Sequence, residues 1–107
     1  MLISTSAGIR PYNDYLPYTV SKSGIIGLTR ALAKALAPEV QINCVAPGPV
    51  MPPESYETAE LASIKAATLT KQLGTPEDVA RAVLFFCEAT DFATGSTLLI
   101  DGGRLLS

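Results

Sequence analysis

Tyr18 and Lys22 stand four residues apart, a spacing that brings two side chains onto one face of a helix. A phenol titrates at about 10 and is by itself a poor proton donor at neutral pH. An ammonium a few ångströms away favours the phenolate and speeds proton exchange with a carbonyl or alcohol oxygen. The pair is therefore a candidate acid/base unit for carbonyl reduction, although the same two residues also suit a surface tyrosine beside a solvated lysine. Two other places carry usable groups. Ser4, Thr5 and Ser6 put three hydroxyls at the end of a short apolar run, and Pro47-Gly48-Pro49-Val50 is a sharp bend in which Gly48 permits close backbone approach. Beyond the bend, Met51, Tyr56 and Leu61 suit either an apolar ligand or plain packing.

The residue counts exclude other chemistries. There is no His, which removes Ser-His-Asp and Cys-His catalysis and any His-ligated metal. A hydrolase built on the Ser4-Thr5-Ser6 hydroxyls would lack its base. Cys44 and Cys87 are the two cysteines, too few for a four-thiolate zinc site, so no metal is expected. Both lie in apolar stretches without a secretory signal, which reads as two reduced, buried thiols rather than a disulfide. A net charge of −2 with scattered basic residues argues against nucleic acid or an anionic membrane as partner. No apolar run reaches the roughly 18 residues of a membrane span. Residues 1–10 lack a signal-peptide pattern, so the expected location is cytoplasmic.

The elements that must position these groups alternate. Met1-Leu2-Ile3 reads as the end of a buried strand, and Ala7 to Pro17, with Gly8, Pro11, Asn13, Asp14 and Pro17, as a loop. From Tyr18 to Ala37, apolar residues recur at three- and four-residue steps (Val20, Ile25, Ile26, Leu28, Ala31, Leu32, Ala35, Leu36), predicting a helix closed by Pro38. Its apolar residues and small Gly24 and Gly27 spread over more than one stripe, which predicts two packing faces. Val40 to Ala46 reads as a strand. Glu54 to about Thr70 is a weak helix, and Gly74 ends that unit. Thr75-Pro76-Glu77-Asp78 is a helix start: Thr75 caps, Pro76 suits the first position and the acids complement the positive helix end. Val79, Ala82, Val83 and Phe86 give that helix one apolar face. Thr97 to Ile100 reads as a last strand and Asp101-Gly102-Gly103 as a tight turn.

Strand, helix, strand, helix, strand is the rhythm of a parallel α/β sheet with crossover helices. Three strands and two main helices are too few to cover both faces of such a sheet, and the first strand would lie at a raw edge. The composition agrees. Only 17% of the 107 residues are charged, against about 25% in an average soluble domain, so apolar surface should be hidden by something outside this chain.

Several segments share a resemblance. Tyr18-Thr19-Val20-Ser21-Lys22-Ser23-Gly24 is similar to the Tyr-x-x-Ser-Lys-x-Gly/Ala signature of the short-chain dehydrogenase/reductase family. Ser4 to Gly8 lies where that family has Ser-Ser-x-Ala-Gly. Asn43 to Val50 resembles its Asn-x-(Val/Ile)-x-Pro-Gly-x-(Val/Ile) segment, and Gly74 to Ala80 its Gly-x-Pro-Glu-(Asp/Glu)-(Val/Ile)-Ala helix start. Thr94-Gly95 followed by Asp101-Gly102-Gly103 matches its closing strand and turn. The five matches occur in the family's order and cover essentially the whole chain.

The resemblance implies the C-terminal half of a Rossmann-type doubly wound parallel sheet, with three strands, two main helices and a lid helix. NADP or NAD would lie over the C-terminal strand ends. No G-x-G-x-x-G can be made from the glycines present, so the nucleotide-binding half and the family's catalytic Asn would lie outside residues 1–107. By resemblance, Tyr18 is the proton donor and Lys22 bonds the nicotinamide ribose. Thr5, thirteen residues before the tyrosine, takes the place of the family's substrate-holding Ser, with Ser6 as the alternative. Pro47, Gly48 and Val50 would pack on the nicotinamide, Val50 bonding its carboxamide through the backbone; Pro52 stands where the family often has Thr. Met51 to about Thr70 would be the substrate lid. The 18–37 helix and the C-terminal strand would join copies in a homo-oligomer. The ending Asp-Gly-Gly-Arg looks like the pteridine-reductase-like branch, with 3-oxoacyl-thioester reduction as the neighbouring alternative. The implied activity is NAD(P)-dependent reduction of a small-molecule carbonyl or pterin C=N group, with the isolated chain expected to be inactive. A non-catalytic module that packs or oligomerises through its helices is the other reading.

Overall fold

A computed structural model of the chain describes residues 2–3, 8, 16–50 and 56–107. Strands β1 (Leu2–Ile3), β2 (Cys44–Pro47) and β3 (Thr97–Ile100) form a parallel sheet in the order β1-β2-β3. Helix α1 (Leu16–Leu36) connects β1 to β2; α2 (Thr58–Ala66) and α3 (Pro76–Leu84) lie between β2 and β3. This is the α/β alternation that the sequence predicts. Leu2 pairs with Cys44 and Ile3 with Val45; on the other side, Cys44 to Pro47 pair in order with Thr97 to Ile100.

The central strand organises the core. Cys44, Val45 and Ala46 are completely buried. Val45 packs with Ala82 and Phe86, and Val79, Val83, Ala93, Leu98 and Ile100 close around them, so the apolar stripe of α3 meets β2 and β3 as its spacing requires. Strand alternation turns Cys44 and Ala46 to the opposite face. That side belongs to α1, which packs on β1 and β2 and contributes nothing to the α3 cluster. Thr19, Thr29 and Ala33 are its buried residues.

The start of α3 follows the sequence closely. Thr75 N–H donates to Asp78 Oδ2 at 2.8 Å, Asp78 N–H donates to Thr75 Oγ1 at 3.3 Å, and Pro76 occupies the first turn. Both carboxylate and hydroxyl thus satisfy amides that the helix itself leaves open.

Other expectations are corrected. Helix α1 begins two residues early and takes Pro17 into its first turn, where a missing N–H costs nothing. Within this chain one of its two predicted packing faces is covered and Val20 and Leu28 are exposed, which leaves the second face open to a partner. Strand β2 starts at Cys44 rather than Val40, because Val40 N–H bonds back to Leu36 O and Ile42 and the Asn43 side chain bond to a turn. Gly95 N–H donates to Ile42 O, Ile42 N–H donates to Thr94 Oγ1, and the buried Asn43 side chain bridges Ala93 O and Ser96 N–H. Helix α2 is shorter than the predicted 54–70 segment and has no buried residue. An unforeseen π-helical turn, Phe85–Ala89, extends α3. Cys87 lies on it, exposed rather than buried, while Cys44 is buried; both thiols are free. Ile3 is 43% exposed, so β1 is not the buried strand its composition suggests.

Candidate active site

The first two turns of α1 carry the Tyr18–Lys22 pair. Lys22 Nζ stands over the Tyr18 ring, 5.7 Å from its centroid, within reach of a cation–π attraction. The four-residue helical step produces this meeting. Tyr18 is 46% exposed and Lys22 half-buried. Ser21 Oγ donates to Tyr18 O at 2.8 Å, a bond within the turn that holds the tyrosine backbone. Ser23 Oγ donates to Gly8 O at 3.0 Å and ties the helix to the segment after β1.

The second part of the site is the bend after β2. Gly48 N–H donates to Ile100 O at 2.8 Å, which continues the β2–β3 ladder and sets Gly48 against Asp101. A Cβ on Gly48 would stand 2.7 Å from Asp101 Cβ and 2.8 Å from Asp101 Cα. The close approach that Gly48 permits within this chain is therefore that of Asp101. Asp101 in turn is fixed, accepting from Gly103 N–H with Oδ1 at 2.9 Å and from Leu105 N–H with Oδ2 at 3.0 Å. Gly74 N–H donates to Pro49 O at 3.1 Å, and a Cβ on Gly74 would meet Val50 Cγ1 at 2.6 Å. Val50 is thereby seated by its side chain. Its own N–H and C=O form no hydrogen bond among the described residues. One free donor and one free acceptor at a fixed bend fit a primary carboxamide, which offers the complementary pair.

Topology brings the two parts to one end. In a parallel sheet the start of α1, which follows β1, and the bend, which follows β2, both lie at the C-terminal strand ends, where open α/β sheets bind ligands. Thr5, Ser6 and Met51, the other expected site residues, lie outside the described residues.

A cavity of about 210 Å³ lies between the bend and the start of α3, lined by Pro49, Val50, Leu73, Gly74, Asp78 and Asp101 among others. Neither Tyr18 nor Lys22 borders it. Its carboxylates are committed: Asp101 to the turn amides, and Asp78 to the α3 cap. Hydrogen bonds from the Thr75 amide and then the Thr75 hydroxyl, with Arg81 nearby, hold the Asp78 carboxyl below the ordinary aspartate range. The cavity is a packing depression beside the bend rather than the Tyr–Lys site. Among the described residues no group of three or more His, Cys, Asp or Glu side chains could hold a metal ion, and no helix is long and apolar enough to cross a membrane.

Sequence reasoning missed what seats the bend. The contact of Gly48 with Asp101 depends on the β2–β3 register, and Pro47 opposite Ile100 is what brings them level. Aligning Ala46-Pro47-Gly48 with Leu99-Ile100-Asp101 as parallel strand ends was the available signal.

Comparison with known proteins follows the same lines. A family model described as Enoyl-(Acyl carrier protein) reductase matches residues 1–104. A Streptomyces violaceoruber protein, named for ketoacyl reduction in granaticin polyketide synthesis, is 41% identical over 108 residues; the match covers 97% of this chain and 43% of that protein. Dehydrogenase/reductase SDR family member 4 of Bos taurus is 38% identical over 111 residues, covering 98% of this chain and 40% of the relative. Among solved structures, 4-hydroxyisoleucine dehydrogenase complexed with NADH matches with a TM-score of 0.90 at 26% identity, over 98% of this chain and 46% of that one. The chain thus spans about two fifths of the length of these curated relatives.

Proposed function

The chain belongs to the short-chain dehydrogenase/reductase family, and from that premise we propose that it carries the proton-transfer machinery of a nicotinamide-dependent carbonyl reduction. The observation that carries this reading is the Lys22 ammonium standing 5.7 Å from the centroid of the half-exposed Tyr18 ring. Tyr18 Oη donates its proton to the substrate oxygen as the carbonyl carbon becomes tetrahedral, and Lys22 stabilises the phenolate left behind. The Thr5 hydroxyl, or that of its neighbour Ser6, donates a hydrogen bond to the same substrate oxygen and orients it. Pro47 and Gly48 would offer a surface to a nicotinamide ring, Val50 N–H and C=O would hold its carboxamide, and Met51 would be a substrate-side residue. The chemistry supplied by the bound dinucleotide, NADP or NAD, is hydride donation. The role of this chain would be the proton: Tyr18 Oη would protonate the oxygen of a carbonyl on its way to an alcohol.

For the substrate we favour a 3-oxoacyl thioester or related ketone, because the Streptomyces violaceoruber relative is named for ketoacyl reduction. The resemblance of the Asp-Gly-Gly-Arg ending to the pteridine-reductase-like branch makes a pterin the second substrate class to assay. The outward face of α1 supports a homo-oligomer: Val20 and Leu28 are exposed, and a Cβ on Gly24 or Gly27 would meet nothing within 4 Å. A second copy lying along residues 18–37, with the C-terminal strand as a further contact, would use that space. The same face favours the alternative reading of a non-catalytic packing module.

The separating experiment mixes the chain with the portion of the Streptomyces violaceoruber relative that it does not match, supplied as a separate polypeptide. NADPH absorbance is followed with a 3-oxoacyl thioester and with a pterin. Tyr18→Phe should lower kcat/KM by about 10²- to 10⁴-fold. Equal rates for wild type and Tyr18→Phe would overturn the catalytic reading and leave the packing module.

A further inference from the structure

Thr68 lies outside every helix and strand, yet only 1% of it is exposed. Its hydroxyl ties the connection between α2 and α3 into a knot. Thr68 Oγ1 donates to Lys65 O at 2.9 Å, with Gln72 O a second acceptor at 3.2 Å, and it accepts from Gln72 N–H at 3.2 Å. Lys71 completes the knot. Its Nζ donates to Ala66 O at 2.7 Å, and its φ of 56° is a left-handed conformation that a residue with a side chain keeps only where its surroundings fix it. Helix α2, by contrast, buries no residue, and no side chain caps its start.

The knot sits on the C-terminal turn. Leu69 and Thr70 N–H both donate to Gly102 O, at 2.8 and 3.1 Å. A Cβ on Gly102 would stand 2.6 Å from Thr70 Oγ1 and 3.4 Å from Thr68 Cβ, so turn and knot touch. The same two segments grip the Pro47–Val50 bend from both sides. Asp101, next to Gly102, stands against Gly48; Gly74, two residues after Gln72, donates to Pro49 O at 3.1 Å and lies against Val50. Bend, knot and turn enclose the cavity of about 210 Å³, which Val50, Thr70, Gln72 and Gly102 help to line. Closely packed segments transmit a displacement to one another, and here each of the three is in contact with another.

We propose that Thr68 is a positioning residue: its hydroxyl fixes a joint that holds the Pro47–Val50 bend and the C-terminal end of α2 in one arrangement. The inference rests on the reading of Val50 as the holder of a carboxamide. Through Gly74 the joint sets Pro49 and Val50, and through Gly102 and Asp101 it sets Gly48. Loss of the hydroxyl leaves the Gln72 N–H without that acceptor. The resulting displacement reaches the amides of Gly48 and Gly74, to which Thr68 itself makes no hydrogen bond.

The test measures amide hydrogen exchange, resolved by residue, on the full 107-residue chain, and circular dichroism verifies the fold of each variant. Thr68→Val keeps the shape and deletes the hydroxyl. It should speed exchange by about 2- to 12-fold at Gln72 and also at Gly48 and Gly74, and leave Ala33 in α1 and Ala82 in α3 within about twofold of wild type. Thr68→Ser, which restores the hydroxyl, should return all three amides to within about twofold. Gly102→Ala drives a methyl against Thr70 from the other side of the joint and should speed exchange at Leu69, Thr70 and Gly74; if Thr68→Val loses its helical signal, this variant decides. Faster exchange confined to Gln72 in Thr68→Val, failure of Thr68→Ser to rescue, or unchanged Gly74 in Gly102→Ala would overturn the proposal. In the mixture with the unmatched portion of the Streptomyces violaceoruber relative, Thr68→Val should raise the KM for NADPH by about 2- to 12-fold and leave kcat within about twofold, because Tyr18 and Lys22 lie on α1. A fall in kcat at constant KM would also overturn it. Exchange that spreads from Thr68 to Gly48 and Gly74 without any turnover in the wild-type mixture would sustain the joint and refute the catalytic reading.

Discussion

Replacing Gly48 with Ala tests whether the bend is held by Asp101. The new methyl would sit 2.7 Å from Asp101 Cβ and 2.8 Å from its Cα, against an ordinary carbon–carbon separation of about 3.5–4.0 Å. Neither contact atom belongs to a rotatable side-chain end, so relief requires the two strand ends to separate by about 0.7 Å or more. That movement strains the Gly48 N–H bond to Ile100 O and the Asp101 bonds to Gly103 and Leu105. Overpacking of this kind costs about 1–3 kcal/mol. Losing a glycine from the unfolded chain returns about 0.4–1 kcal/mol, so a net loss of about 1–2 kcal/mol is expected. At roughly 4–8 °C per kcal/mol in a domain of this size, Tm should fall by about 4–16 °C in a circular-dichroism melt. Gly24→Ala and Gly27→Ala are the controls. A Cβ there meets nothing within 4 Å, and inside a helix the change should stabilise by about 0.5–1 kcal/mol. If Gly48→Ala melts at or above wild type, the steric account of the bend is wrong.

Two further measurements probe the scaffold. The Asp78 carboxyl titrates lower in the folded chain than in the unfolded one, first through the Thr75 amide and then through its hydroxyl. Its contribution is thus complete above the unfolded value of about 3.9 and is lost as pH falls through the lower folded value. Urea midpoints taken from pH 5 down to pH 2 should fall more steeply for wild type than for Asp78→Asn, and parallel curves would contradict the cap. Thiol labelling should modify exposed Cys87 within the native chain and buried Cys44 only on unfolding; mass spectrometry showing equal labelling of both would contradict the placement of β2 at the sheet centre.

The parts legible in the sequence are those that short-range chemistry decides. Thr75-Pro76-Glu77-Asp78 states a helix start in four residues, and the Thr75 cap appears as predicted, joined by a reciprocal bond from its amide to Asp78. Val79, Ala82, Val83 and Phe86 declare one helical face, and that face meets Val45. The Tyr18–Lys22 meeting is likewise local, because one helical turn fixes it. What was not legible depends on residues distant in the chain. Residues 40–43 have strand composition, but Val40 N–H bonds back to Leu36 O and Ile42 and the Asn43 side chain bond to the 93–96 turn, whose position no local propensity reports. The small size of Gly48 and Gly74 suggests close approach without saying of what; Asp101 and Val50 answer only once the register is known. Cys87 looked buried by its apolar neighbours, and the π-helical turn changes which residues of that segment face the core.

Gly24 and Gly48 separate two reasons for a small residue. At Gly48 the chain itself fills the space, so the residue serves the fold before it serves any ligand. At Gly24 and Gly27 the chain fills nothing, and a helix interior would be more stable with Ala there. Among the described residues no contact offsets the helix propensity those glycines give up. The same holds for the unpaired Thr19 hydroxyl and for Val20 and Leu28 facing outward. All five belong to α1, the helix that carries Tyr18 and Lys22, whereas the well-satisfied contacts gather around β2, β3 and α3. A well-packed sheet beside an incompletely covered helix fits the proposal that a second copy or another polypeptide lies along α1.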